Sequence, residues 1–507
     1  MPDQRPGDIK PPDPSGPDQP PTRRASRRAI LAAAAGAAAT PTASIFPSAG
    51  GRPAHAQVAE ARDANAAELA RLLAARRILI KGAVVLSQDR GVGDFASADI
   101  LIEDGRIRDL RPNIAMSDES AAVIDGSKRI VVPGFVDTHS HSYQGVLRSI
   151  MPNGVLDPDY NRDVQALLTP AFSPADVYAG VLVTALGLID MGTTAIIDLS
   201  QISHTPEHSD ACVRALQDSG IRALVAYSRG AGPAAQYPQD LLRLQRTYFN
   251  SKDQLLTLAL GLGLDPKLFV AAREAGVPAV LHMRNDSAKL LELGRAALLR
   301  PGDAYIHCTN LNDEAWHLIR DSGGRVSLCP QIEMTMGHGM PAIQQALDLG
   351  MRPSLSSDHG VSLAQDFFTI MRTVFTFQRM QIFARRRAGE ASVPPLITTR
   401  DVLEFATLAG ARCANLDGKV GSLTPGKEAD ILLLRADTPS LWPVNNAPGT
   451  VVNMMSPANV ETVFIAGKVK KWRGSLVGID WPRVMSMADA ARDAVTRRTG
   501  FSVNFLG

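Results

Sequence analysis

The sequence predicts an α/β fold: a (β/α)8 TIM-like barrel with a small β-sandwich domain formed by the N- and C-terminal segments. Three observations carry that reading. Across residues 131–417, eight short apolar runs alternate with helical patterns. Strand-and-hairpin blocks, each too short for a core of its own, flank this region on both sides. Histidines gather at the C-terminal ends of the apolar runs, the face of such a barrel where chemistry is done.

The elements follow in chain order. Residues 1–22 are rich in Pro and Asp, a composition that resists folding. Ser26-Arg27-Arg28-Ala29-Ile30-Leu31 then precedes an Ala-rich stretch ending at Ala54-His55-Ala56. Paired arginines, a mild apolar segment and an A-x-A-like site read as a twin-arginine export signal. Residues 1–56 are therefore assigned to a leader, with the export machinery as partner and a mature chain from near Gln57 in the periplasm or outside the cell. Gly, Thr and Pro interrupt the apolar segment, so no membrane span is expected in the mature chain.

Residues 57–76 have the charged, Ala- and Leu-rich composition of an outer helix. In 77–130 the pattern turns to short strands, with a hairpin over 100–107 that places Asp104-Gly105 at its turn. A matching block fills 418–475, with strands expected over 429–434 and 463–469. The two blocks pair into one composite β-sandwich.

Between them, barrel strands are expected at 131–138, 193–199, 222–228, 256–263, 278–283, 304–308, 325–330 and 353–357. Helices separate them, as over 313–320 and 341–349, and a longer one over 364–387 follows the eighth strand. A doubly wound open sheet is the competing architecture, but no Gly-rich phosphate loop follows the first strand. Residues 476–507 are expected to form a helical tail.

Composition narrows the function class. The chain has 507 residues, 45% hydrophobic and 21% charged, with a formal net charge of +2. That balance gives no electrostatic case for nucleic acid or an anionic membrane, and leaves a small-molecule substrate as the natural partner. Four cysteines, Cys212, Cys308, Cys329 and Cys413, lack the spacing of a zinc ribbon or a disulfide framework. Barrels of this kind commonly associate, so a homo-oligomer is compatible with the sequence.

The first expected strand ends in Val136-Asp137-Thr138-His139-Ser140-His141. Two imidazoles two residues apart on a strand project to one side and can reach one metal ion. His139, His141, His204, His282, His307, His338 and His359 all fall at or just beyond strand ends. Four groups make a sensible ligand set: His139, His141, His282 and Asp358. Three neutral imidazoles and a carboxylate suit one divalent ion, zinc ahead of iron, which would activate a water. His307 is better placed to polarise a substrate carbonyl or C=N group. Asp358 can ligate the metal and still accept a proton.

This arrangement resembles the amidohydrolase superfamily, and within it the cytosine deaminase-like and chlorohydrolase group. The resemblance spans residues 77–475 and rests on Val132-Pro133-Gly134-Phe135-Val136-Asp137-Thr138-His139-Ser140-His141, on His282, His307 and Ser357-Asp358, and on Leu423-Thr424-Pro425-Gly426-Lys427-Glu428-Ala429-Asp430. It implies a mononuclear zinc or iron site and hydrolysis at a carbon bearing nitrogen or a halide. By position, it implies His139, His141, His282 and Asp358 as ligands and His307 as the supporting histidine.

One departure matters. Deaminases of this group carry a glutamate three residues after the strand-five histidine, whereas this chain has Asn285. Asparagine cannot shuttle protons. Either Asp358 handles proton transfer alone, or another carboxylate substitutes, with Glu333 the leading candidate and Asp286 a weaker one. His338, His204, Gln144 and Arg148 are candidate substrate contacts, Arg148 as an anchor for an anionic substituent. The phenylalanines at 367, 368, 375 and 377 lie at helical spacing and read as core.

The combined expectation is an exported, metal-dependent hydrolase acting on C–N bonds of a small nitrogenous, heterocyclic substrate. In this scheme Asp358 takes the proton of the attacking water and His307 stabilises developing charge. A cyclic-amide or amidine hydrolase is the alternative that Asn285 favours. A catalytically silent metal- or substrate-binding relative is the alternative of another class.

Overall fold

The computed structural model describes residues 54–116 and 121–506. Residues 1–53 of the expected leader, Arg27 and Arg28 among them, lie outside these, and the helix Ala54–Ala74 starts at its expected cleavage site, Ala54-His55-Ala56. Met1–Ala64 and Asn65–Gly507 divide into separate units, and the second carries both sheets and the candidate site. A helix over Ala54–Ala74 stands where 57–76 was expected.

Among the described residues seventeen strands make two sheets. The first sheet contains β1 (Arg77–Val85), β2 (Phe95–Glu103), β3 (Arg106–Arg111), β4 (Ala122–Asp125) and β5 (Arg129–Pro133). The second contains β6 (Phe135–Ser140), β7 (Thr193–Ser203), β8 (Arg222–Arg229), β9 (Leu256–Gly261), β10 (Ala279–Arg284), β11 (Ala304–Thr309), β12 (Arg325–Leu328) and β13 (Ser354–Leu355). The chain then returns to the first sheet with β14 (Ile431–Arg435), β15 (Val460–Ile465), β16 (Lys468–Trp472) and β17 (Ser475–Leu476).

Strands β6 to β13 hydrogen-bond in sequence order, all parallel, with helices between them. Each overlaps one of the eight expected strands, but 131–133 of the first belong to β5 in the other sheet, so the barrel begins at Phe135 rather than at 131. The ring is closed by backbone at its C-terminal rim: His141 N–H donates to Asp358 O (2.7 Å) and Asp358 N–H to His139 O (2.9 Å). Closure therefore joins the two strands that carry the first and last candidate ligands. Beneath that rim the interior is packed rather than hollow, and Thr138 Oγ1 meets Ser327 Oγ (2.7 Å) and Ser354 Oγ (2.8 Å). Strand β12 stops before Cys329 because Pro330 opens a short helix, Pro330–Thr335.

The two chain ends combine as expected, but the sandwich is built from one continuous nine-stranded sheet rather than two separate ones. Strand β5 is the hinge, pairing parallel with β1 and antiparallel with β14. The sheet curls until Ile107 N–H donates to Lys427 O (2.9 Å) and Ala429 N–H to Gly105 O (2.8 Å). Ile80, Ile100, Ile107, Val131, Ile431 and Phe464 share the enclosed core. At that meeting a Cβ on Gly105 would lie 2.7 Å from Ala466 O, and φ there is +82°. Only glycine suits it.

Arg222, 0% exposed, ties this domain to the barrel: its guanidinium donates to both carboxylate oxygens of Asp430 (3.0 and 2.9 Å) and to Glu428 (2.7 Å). The long helix Phe367–Arg387 packs inward as read from its spacing, with Phe367 stacked on Phe135 at 5.6 Å. The tail is a helix, Trp481–Thr499. Among the described residues no single helix is long and apolar enough to cross a membrane.

Candidate metal centre and active-site pocket

The metal candidates are delivered by strand ends. Gly134 lets β6 start against β7, since a Cβ there would lie 2.0 Å from Thr194 Oγ1. Asp137 accepts the amides of His139 (3.2 Å) and Ser357 (3.0 Å), which locks β6 to the end of the eighth strand. Its neighbours Thr138 and Ser140 alternate with His139 along the strand, and His141 follows immediately. The rings of His139 and His141 lie 4.7 Å apart, and that of His282 lies 4.8 Å from His139.

Their donor atoms converge. His139 Nε2 is 3.2 Å from His282 Nε2 and 3.2 Å from Asp358 Oδ1. His141 Nε2 is 3.5 Å from the same Oδ1. His141 Nδ1–H donates to Leu199 O (3.1 Å), so its Nε2 lone pair is the one aimed at the centre. Burial, and then the charge of His139, pushes His141 down to about 3; the same causes hold His282 well below the ordinary histidine range. Asp358 is held well below the usual carboxylate range: burial opposes ionisation, but His359 and His139 outweigh it.

His139 Nε2 and His282 Nε2 lie 3.2 Å apart, and His139 Nε2 lies 3.2 Å from an Asp358 carboxylate oxygen, so imidazole and carboxylate donors face one small space. That donor chemistry fits a divalent metal ion. Cys329 also lies close to His139, His307 and Asp358. Burial drives its thiol well upward and its Sγ sits 2.8 Å from Ser356 Oγ, so it is a protonated core group.

Over this centre lies a cavity of about 270 Å³ lined by His141, His282, His307, His338, Asp358 and His359, with Leu156, Tyr160, Asn161, Gln165, Gln201 and Arg284. His307 Nε2 is 3.7 Å from Asp358 Oδ2, and its Nδ1 is 3.3 Å from Glu333 Oε1. Non-glycine residues with left-handed backbone gather at this rim: Asn285 (φ 56°), His307 (70°), Cys308 (54°), Asn310 (57°) and Asp358 (63°). Each such residue costs about 1–3 kcal/mol, and the rigid barrel beneath sustains them.

Of the four residues expected as substrate contacts, His338 is the one that reaches the cavity. It lines the cavity, is 7% exposed, and neither ring nitrogen has a partner among the described residues. The other three are corrected. His204 Nε2–H donates to Thr169 O (2.9 Å) and its Nδ1 accepts from Ala231 N–H (2.8 Å), so both ring nitrogens serve the backbone. Gln144 donates to the Tyr143 (3.0 Å) and Tyr160 (2.8 Å) hydroxyls and supports the pocket wall from behind. Arg148 donates to Val183 O (3.0 Å) and borders a separate cavity.

Glu333 is corrected too. It is fully buried behind His307 and does not line the cavity; its Oε1 also accepts Cys329 N–H (2.8 Å). It touches the active site through an imidazole and is a positioning residue. Asn285 is exposed, and Asp286 borders an adjoining cavity. Asp358 is thus the one carboxylate among the lining residues. Sequence reasoning missed Arg284, although His282-x-Arg284 carries the same two-residue signal as His139-x-His141. It also missed Tyr160 and Gln165, whose segment Leu156–Leu168 has no clear period, and Gln201 inside β7.

Comparison with known proteins gives the family and the fold. A sequence model of the amidohydrolase family matches residues 130–470. The 5'-deoxyadenosine deaminase of Methanothermobacter thermautotrophicus is 26% identical over 447 residues, covering 83% of this chain and 99% of that protein. The 5-methylthioadenosine/S-adenosylhomocysteine deaminase of Acetivibrio thermocellus is 25% identical over 432 residues, covering 80% and 96%. Among solved structures, a zinc-bound adenosine deaminase from Xanthomonas campestris superposes with a TM-score of 0.72 at 20% identity, covering 83% of this chain and 98% of that one. The zinc complex of atrazine chlorohydrolase from Arthrobacter aurescens TC1 gives 0.72 at 20%, covering 82% and 100%.

Proposed function

Because the chain belongs to the amidohydrolase family, we propose that it is a metal-dependent aminohydrolase that removes an amino group from a small nitrogenous heterocycle. The observation that carries this is the approach of His139 and His141 Nε2 to Asp358 Oδ1, with His282 Nε2 3.2 Å from His139 Nε2, below a cavity sized for one small molecule. The deaminase names of its relatives support the same chemistry.

His139, His141, His282 and Asp358 would hold one divalent ion, zinc in preference to iron given the imidazole-rich donor set. Bound there, the ion supplies Lewis acidity and makes a water acidic enough to act as nucleophile near neutral pH. Asp358, ionised, receives the water's proton at Oδ2, the oxygen that faces His307. Glu333 Oε1 already accepts the Cys329 amide, so the His307 contact is Nδ1–H donating to it. That fixes the His307 tautomer and presents Nε2 to the cavity, where it takes up the proton and donates to the developing charge. His338 offers a second imidazole edge, with its ring centroid 4.7 Å from that of His307. The proton then leaves with the amine.

One specific observation favours a second reading. With Asp358 as the one carboxylate among the lining residues, no second acid stands ready to protonate a ring nitrogen. Cyclic-amide or amidine hydrolysis needs none. Zinc-loaded protein assayed on purines, pyrimidines, triazines and cyclic amides separates the two. Metal-dependent ammonia release supports deamination; ring opening without ammonia supports the second reading; inert protein overturns both.

We also propose export through the twin-arginine route, supported by Ser26-Arg27-Arg28-Ala29-Ile30-Leu31 and the Ala-rich stretch after it. Cell fractionation tests it: replacing Arg27 and Arg28 by Lys should trap the chain in the cytoplasm, and unchanged distribution refutes the route.

A further inference from the structure

Arg284 ends β10 two residues beyond His282 and shares its strand face, which sets its Cα about 7 Å further towards the mouth. It is half-buried, lines the cavity, and makes no hydrogen bond or ion pair with any described residue. A guanidinium carries five donors and no acceptor, so one left half-buried without a partner is costly until an acceptor arrives. Nearby Asp286 does not supply one, since it borders the adjoining cavity. His338 lines the same cavity, buried, with both ring nitrogens free among the described residues.

The adjoining cavity, about 1010 Å³, shares Gln201 and His282 with the first. Arg229, Lys267 and Lys289 line it against two carboxylates, Asp265 and Asp286. A positive approach of this kind concentrates anions at the mouth. We infer that the pocket selects substrates bearing a carboxylate or phosphate, held by Arg284 with His338, about one substituted ring away from the carbon attacked near Asp358. This deepens the aminohydrolase reading and rests on it for the reaction, though not for the anion site. Forked donors fit either oxyanion through two parallel hydrogen bonds.

The test is calorimetric binding to zinc-loaded protein with matched ligand pairs: orotate against uracil, nicotinate against nicotinamide, and adenosine 5'-monophosphate against adenosine. At least one anionic member should bind about 10- to 100-fold more tightly than its neutral partner, as expected for a partly desolvated guanidinium–oxyanion pair. The first two pairs report a carboxylate, the third a phosphate. Arg284→Met should erase the preference and Arg284→Lys should restore part of it. Direct capture of the anion by the metal would survive Arg284→Met, so a preference that survives overturns the inference. So does a panel in which no pair shows a preference. Ammonia release is scored separately: deamination of neutral heterocycles with no anion preference would sink this inference and leave the reaction standing, whereas Arg284-dependent anion binding without ammonia would do the reverse.

Discussion

Replacing Glu333 with Gln should stabilise this protein as the pH rises, while leaving most of its turnover intact. The Glu333 carboxyl is fully enclosed, its Oε2 has no partner among the described residues, and burial pushes its pKa from 4.5 up to about 8. A raised acid holds its proton in the folded state longer than in the unfolded one. Between pH 4.5 and 8 the native state therefore binds more protons, and stability falls as pH increases through that window. At 1.36 kcal/mol per pKa unit, the loss reaches about 2 kcal/mol near pH 6, about 3 near pH 7 and about 4 near pH 8. Glutamine cannot titrate, yet keeps an acceptor oxygen for Cys329 N–H and His307 Nδ1–H. Thermal melts of zinc-loaded wild type and Glu333→Gln should coincide near the acid end and separate progressively towards pH 8. Parallel curves across the window would refute the argument, because they would show that Glu333 ionises as freely folded as unfolded. Turnover reduced by more than about 100-fold in the same variant, the loss expected of a proton-transfer group, would refute its assignment as a positioning residue.

Other perturbations test the remaining assignments. Asp358→Asn should lower kcat by about 100- to 10,000-fold, with a melting curve showing that the fold survives. Chelation should abolish activity and lower the melting temperature, both restored by zinc; activity indifferent to chelator would remove the metal from the reaction. Asp430→Asn strips one carboxylate from the buried Arg222 guanidinium, which keeps Glu428, and should cost about 1–3 kcal/mol by denaturant titration, with KM unchanged. His204→Ala orphans Ala231 N–H and Thr169 O, so it should cost about 1–3 kcal/mol for each group left unpaired, again without a shift in KM.

The barrel was legible because its strands are short apolar runs between helices, a pattern that periodicity exposes. All eight expected strands exist. The sandwich was legible as two unfinished β blocks, but its single curled sheet was not. That depends on β5 pairing with β1 on one side and β14 on the other, a choice made between segments some 300 residues apart. Hydrophobic pattern says which residues want covering and leaves open what covers them.

The candidate site divides along a different line. His139, His141, His282, His307 and Asp358 were recoverable because strand ends of a closed barrel meet by construction, so position along a strand decides position in space. His204, Gln144 and Arg148 failed because each sits past a strand end, where direction is set by whichever backbone group claims the side chain first. Thr169 O and Ala231 N–H claim His204, and Val183 O claims Arg148. Glu333 failed for a subtler reason: the turn of helix begun by Pro330 aims it back under His307 instead of out into the mouth. Arg284 reverses the case, since it lies within the strand, where alternation does decide direction. Its residue type belongs to no metal set, so a search for ligands passed over it. A guanidinium on the ligand face of a barrel strand answers a different question, namely what the substrate must carry.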